Sequence, residues 1–152
     1  MAEDQYPALT PRLPPRHEVE ASLSRGQRRV LLVEDEPHLR STLARALALH
    51  GYGVEAVEGS VAAQAALACG GIDLLLTDVL LGGALDGFQL AFWARDRLPR
   101  LPMVLISGLA LSFPPQALLD DAAVWMLPKP FSAAGLMAIL RNALALTHGL
   151  AH

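Results

Sequence analysis

The chain holds one cysteine, Cys69, so no internal disulfide can form, which fits a reducing compartment. No apolar stretch approaches the ~18 to 20 residues needed to cross a bilayer. The N-terminus lacks the charged-then-apolar layout of a secretory signal. Together these absences point to the cytoplasm and away from a membrane. Basic residues are not in excess: the net charge is -3 and the pI about 5.9, which gives no electrostatic footprint for nucleic acid. His17, His38, His50, His148 and His152 share no metal-ligand spacing. Neither Gly-x-Gly-x-x-Gly nor a P-loop occurs, which counts against a nucleotide-binding enzyme. What is present is apolar: 53% hydrophobic residues against 18% charged. That balance excludes a chain disordered throughout, and 152 residues suffice for one domain with a real core.

Residues 1–27 stand apart. Pro7, Pro11, Pro14 and Pro15 lie there among charged and small residues. Such a segment buries too little surface to offset its ordering entropy, and it reads as a flexible arm. From Arg28 the pattern becomes regular. Apolar runs at 29–33, 53–57, 72–77, 102–106 and 124–127 read as strands. Helical patterns at 38–50, 61–69, 88–98, 114–121 and 133–147 alternate with them. Pro37 suits a first helical turn, Ser60 and Ser132 are candidate caps, and Gly51 and Gly70 are stops. Nearly continuous apolar strands imply a sheet covered on both faces. With right-handed crossovers the expectation is an α/β domain over 28–149 with a doubly wound parallel sheet.

Polar residues interrupt the strands at one end only. Glu34 and Asp35 end the first strand, Asp78 the third, Ser107 the fourth, and Lys129 follows the fifth. In a doubly wound sheet ligands bind beyond these C-terminal ends. Acids crowded there repel one another unless a cation holds them. Acids, a hydroxyl and a lysine on one rim suit a phosphoryl group and a hard cation. Mg²⁺ prefers oxygen ligands, which Asp35, Asp78 and a backbone carbonyl just beyond Asp78 could supply, with Glu34 acting through water. Asp78 is the candidate nucleophile. Lys129 would neutralise phosphate charge and Ser107 would donate a hydrogen bond to it.

Five pieces in register over 28–147 resemble the receiver domain of bacterial response regulators in two-component signalling. They are Val30-Leu31-Leu32-Val33-Glu34-Asp35-Glu36-Pro37, Thr77-Asp78-Val79, Asp86-Gly87, Ile106-Ser107-Gly108 and Leu127-Pro128-Lys129-Pro130-Phe131. The resemblance implies a flavodoxin-like fold with strand order 2-1-3-4-5. It implies a phospho-accepting Asp78, Mg²⁺ on Asp35, Asp78 and the Leu80 carbonyl, and Ser107 and Lys129 as sensors of the phosphoryl group. It also implies a cis Lys129-Pro130 bond. The expectation is a single-domain response regulator, whose donor would be a histidine kinase or a histidine phosphotransfer protein. Output would pass to a protein partner, with a possible homodimer through the fourth-helix, fifth-strand, fifth-helix face. Beyond self-phosphotransfer and slow autodephosphorylation, no enzyme activity is expected.

Three departures from the family pattern stand out. The aromatic ring expected three residues before the lysine is Met126 here, and strand alternation points Trp125 to the opposite face. The loop at Gly82 to Ala84 carries one residue more than the common proline-glycine form. Leu80 and Leu109 flank the expected path of hydrolytic water, so the phosphoryl group is expected to be lost slowly.

Structural roles compete with these assignments. Glu34 and Asp35 could cap the helix at Pro37, Ser107 could be an ordinary loop serine, and Lys129 a solvated one. Asp86-Gly87 reads as a turn and cap without chemistry, Asp73 as strand entry, and Arg28-Arg29 as a solvated one. Cys69 reads as a small hydrophobe, buried or half-buried. Leu109, Leu111 and Phe113 lean to core packing. The rival functions are a receiver-like interaction scaffold that never carries phosphate and a phosphohydrolase. Phosphohydrolases of this kind often place a second acid where Leu80 stands.

Overall fold

The computed structural model describes residues 26–108 and 113–150. Most of the expected arm, and Leu109 and Leu111, lie outside them. Five strands form one parallel sheet, β1 (Arg29–Val33), β2 (Gly53–Val57), β3 (Leu74–Asp78), β4 (Met103–Ser107) and β5 (Val124–Pro128). Their order is β2-β1-β3-β4-β5, the flavodoxin-like arrangement expected from the sequence. The helices among the described residues are α1 (Pro37–Leu49), α2 (Ser60–Cys69), α3 (Gly87–Arg97), α4 (Gln116–Leu119) and α5 (Ala133–Leu150). The fourth helix is shorter than the pattern at 114–121 suggested.

Strand alternation divides the core into two layers. Val30, Leu32, Leu74, Leu76, Val104 and Ile106 face Leu43 and Leu47 of α1 and Leu136 and Leu140 of α5. Leu31, Val33, Leu75, Met103 and Leu105 face Ala63 and Leu67 of α2, Leu90 and Ala94 of α3, and Leu118 of α4. Because both faces of β1, β3 and β4 are covered, these strands need leucine and valine at successive positions. Each such side chain, fully buried, contributes about 1.5 to 3 kcal/mol over leaving it exposed. Trp125 packs into the first layer and Met126 into the second, the opposed placement that alternation required.

Local chemistry sets the ends of the elements. Asp73 accepts the backbone N–H of Arg29 at 2.8 Å and so ties the entries of β1 and β3. Arg29 is not merely solvated, since it pairs with Glu55 at 2.9 Å. Ser132 accepts the N–H of Gly135 at 2.9 Å and starts α5. Ser60 does not cap α2: Gly59 occupies that position and Ser60 is the first helical residue. Its buried hydroxyl instead accepts the Leu85 N–H at 3.2 Å, because the loop after β3 folds over the start of α2. Cys69 is exposed, on the outer turn of α2. Phe113 is 86% exposed rather than packed.

Candidate functional site

Parallel register brings the polar strand ends to one edge. Val33 pairs with Thr77, Asp78 with Ile106, and Ser107 with Pro128. The last residues of β3 and β4, Asp78 and Ser107, and the residues just beyond β1 and β5, Glu34 and Lys129, therefore open on the same rim. Asp78 is 3% exposed and Glu34 2%. Asp35 is exposed and Ser107 half-buried.

Both carboxylate oxygens of Asp78 have donors. Lys129 Nζ lies 2.6 Å from Oδ2, and the Leu80 N–H lies 2.9 Å from Oδ1. Lys129 in turn is held to β4, its backbone N–H donating to the Ser107 carbonyl at 2.8 Å. The Lys129-Pro130 bond is cis. Thr77 Oγ1 donates to the carbonyl of Asp78 at 2.9 Å. Asp35 Oδ2 accepts the Gly82 N–H at 3.3 Å, which links the acid loop after β1 to the loop after β3. Gly83 in that second loop has φ +97°, a left-handed turn that glycine makes without a Cβ penalty.

Glu34 is the buried acid of the set. Oε1 accepts the Glu36 N–H at 3.2 Å, while Oε2 is buried without a hydrogen-bond partner. Its neighbour is another carboxyl group, Asp78, and two carboxyls can hydrogen-bond only when they share a proton. The Glu34 carboxyl is pushed up from 4.5 to about 7. Burial is the largest cause, and Asp78 adds to it. The Glu36 N–H and the Lys129 charge act the other way. Desolvation thus outweighs acid–acid repulsion in holding this carboxyl up.

No three His, Cys, Asp or Glu side chains among the described residues stand close enough to form a metal cage. The donor set still suits a hard cation. Mg²⁺ is commonly bound through one or two carboxylates and keeps several waters. The partnerless Oε2 of buried Glu34 and the exposed Asp35 are oxygen donors of that kind.

The sequence reading missed three residues at this rim. Glu36, not Glu34 or Asp35, caps α1, accepting the N–H groups of His38 and Leu39. Those bonds lower its carboxyl pKa, the Leu39 bond most. Arg40 Nη1 donates to the Glu34 carbonyl at 2.9 Å. Gly87 packs against the backbone of Asp78: a Cβ there would stand 2.2 Å from the Asp78 carbonyl oxygen and 2.6 Å from Val79 Cα. An acid directly before Pro37, the expected first helical turn, was signal enough for Glu36. The Asp86-Gly87 pair was visible, but the backbone it approaches was not.

The profile of the response regulator receiver domain matches residues 30–141. The transcriptional regulatory protein TcrA of Mycobacterium tuberculosis is 36% identical over 113 residues, covering 74% of this chain and 44% of TcrA. The response regulator protein FleR of Pseudomonas aeruginosa is 37% identical over 118 residues, covering 76% of this chain and 24% of FleR. The chain thus spans less than half the length of either. Among solved structures, a response regulator receiver protein from Sinorhizobium medicae superposes with TM-score 0.71 at 30% identity, over 80% of this chain and 97% of that one. With order, register and rim in agreement, the chain belongs to the receiver domain family of two-component response regulators.

Proposed function

We propose that this chain is a phosphorylatable response regulator, in which Asp78 accepts a phosphoryl group from a histidine kinase or a histidine phosphotransfer protein. The observation that carries the reading is the 2.6 Å contact between Lys129 and buried Asp78, beside a second buried acid. Taking a carboxylate out of water costs several kcal/mol before any pairing repays it, so two buried acids beside a lysine at an open rim mark a site rather than ordinary packing.

A carboxylate oxygen of Asp78 attacks the phosphorus of a phosphohistidine. The P–N bond breaks, and the imidazole nitrogen leaves with the electron pair and takes up a proton. An acyl phosphate on Asp78 results. Lys129 exchanges its partner, from the carboxylate oxygen to a phosphoryl oxygen, and neutralises the charge gained. Ser107 donates its hydroxyl to a second phosphoryl oxygen. The family typically binds Mg²⁺ at its phosphorylation site. Here Asp35, Asp78 and the Leu80 carbonyl would hold it, with Glu34 through water, and it would supply charge neutralisation in the transfer.

Movement of Ser107 and Lys129 toward the phosphoryl group shifts the balance between two packings of the adjoining face. That face comprises α4, β5 and α5, with Leu119 and Leu146 exposed on it. Output then goes by protein contact there, to a partner or to a second copy. Met126 occupies the place of the usual ring and lies against the second core layer. A methionine can repack without a defined swing.

The test is the intact mass after incubation with Mg²⁺ and acetyl phosphate. The expected result is a gain of one phosphoryl group, lost on Asp78→Asn. An unchanged mass in the wild-type protein would favour the rival reading, a receiver-like scaffold that carries no phosphate.

A further inference from the structure

Arg40 is the fourth residue of α1, and its guanidinium turns back to the loop before the helix. Helical side chains lean toward the N-terminus, so a long side chain here reaches the backbone that carries the acids. Nη1 donates to the carbonyl of Glu34 at 2.9 Å, while the N–H of Glu34 donates to the Val57 carbonyl at 3.1 Å. Glu34 is therefore pinned at both ends of its backbone, to β2 on one side and to α1 on the other. The pinned carbonyl belongs to the peptide that leads directly into Asp35. Arg40 forms no ion pair with any carboxylate among the described residues. Its side-chain hydrogen bond among the described residues goes to that carbonyl, and its charge also acts, more weakly than the helix-cap bonds, on the Glu36 carboxyl.

We infer that Arg40 is a positioning residue, which sets the Glu34–Asp35 peptide so that the Asp35 carboxylate faces the loop after Asp78 and the rim is ready for a divalent cation. This rests on the reading of the rim as a Mg²⁺-assisted phosphoryl site. Two effects of Arg40 oppose each other there. Its positive charge repels a cation, so charge alone would make its removal tighten Mg²⁺ binding. Its hydrogen bond fixes the ligand loop, so removal would loosen binding. Because the direct bond goes to the backbone that carries the acids, the second effect governs. Partners that orient metal ligands are typically worth 10- to 100-fold in affinity.

The experiment compares Mg²⁺ affinity by calorimetry in the full chain, as wild type, Arg40→Met and Arg40→Gln. Thermal melts in EDTA establish that each variant is folded. Arg40→Met keeps the apolar stem and loses both charge and donor; about tenfold weaker Mg²⁺ binding is expected. Arg40→Gln restores an N–H donor without charge and is expected to recover part of that loss. Phosphorylation of Arg40→Met is expected to reach the wild-type rate at saturating Mg²⁺ and to lag at low Mg²⁺. Equal or tighter Mg²⁺ binding in Arg40→Met overturns the inference while leaving the phosphoryl site standing. Absence of Mg²⁺ binding in the wild-type chain overturns both.

Discussion

Gly87 stands so close to Asp78 that a single added carbon would collide with it, 2.2 Å from the Asp78 carbonyl oxygen. The Gly87 N–H also bonds the Val79 carbonyl at 2.8 Å, so the first turn of α3 is pressed directly onto the end of β3. Asp86 anchors that turn, accepting the Gln89 N–H at 2.8 Å while the Gln89 side chain bonds back. The Asp86-Gly87 turn thus seats α3 against the backbone of the proposed phosphoacceptor. Gly87→Ala must move backbone rather than a flexible side chain. The expected loss is about 2 to 3 kcal/mol of stability, with slowed phosphorylation of the protein that remains folded. Urea unfolding and intact-mass kinetics check both. Wild-type values in each would mean that α3 can slide outward freely.

Magnesium gives an independent handle on the rim. A ligand that binds only the native state stabilises it by RT ln(1 + [L]/Kd), about 2.7 kcal/mol at one hundred times Kd. Millimolar Mg²⁺ is therefore expected to raise the melting temperature. Asp35→Asn, an exposed change with little cost to the metal-free fold, is expected to remove most of that gain. An equal Mg²⁺ shift in wild type and Asp35→Asn would take Asp35 out of the ligand set.

The pH dependence follows from Glu34, whose carboxyl is held at about 7 in the fold against 4.5 for the unperturbed group. An acid with a raised folded pKa binds its proton more tightly in the native state than in the unfolded one. Its favourable contribution is complete below about 4.5 and is lost as pH rises through about 7. In EDTA, the wild-type protein is expected to gain stability from pH 7.5 down to about 5 through this group. Glu34→Gln, with an amide that never ionises, is expected to flatten that slope. Asp78→Asn is expected to reduce it in part, because burial of Glu34 persists after the neighbouring charge is gone. Parallel wild-type and Glu34→Gln curves across the window would show that Glu34 ionises freely.

The fold was open to a reader of the sequence because its strands are covered on both faces. Runs such as Leu74-Leu75-Leu76 can be little else when glycine pairs and Ala-rich helices separate them, and the rim followed from their polar ends. What stayed hidden depends on contacts between segments far apart in the chain. Ser60 has the residue type of a cap, yet its hydroxyl serves Leu85, 25 residues on. Arg40 looks like any surface arginine until the carbonyl it meets is known. Cys69 and Phe113 have apolar character, but neither faces a layer that could cover it. Propensity speaks for neighbours in sequence, and these four are decided by neighbours in space.

Leu80 leads to a prediction about time. Its N–H is committed to Asp78 Oδ1 at 2.9 Å, while its side chain is 66% exposed. An apolar side chain at the mouth offers incoming water no hydrogen bond, where a polar one could hold and orient it. Hydrolysis of the acyl phosphate needs a water in line with the bond to be broken, so its rate depends on how often one is placed there. The phosphorylated wild-type chain is expected to persist for minutes or longer. Leu80→Asn and Leu80→Glu are expected to shorten that lifetime several-fold, with little change in melting temperature because the side chain contributes little to the core. The decay of the phosphorylated mass after removal of the donor measures this directly. A wild-type lifetime of seconds, or no acceleration in either variant, would show that water reaches Asp78 by another route.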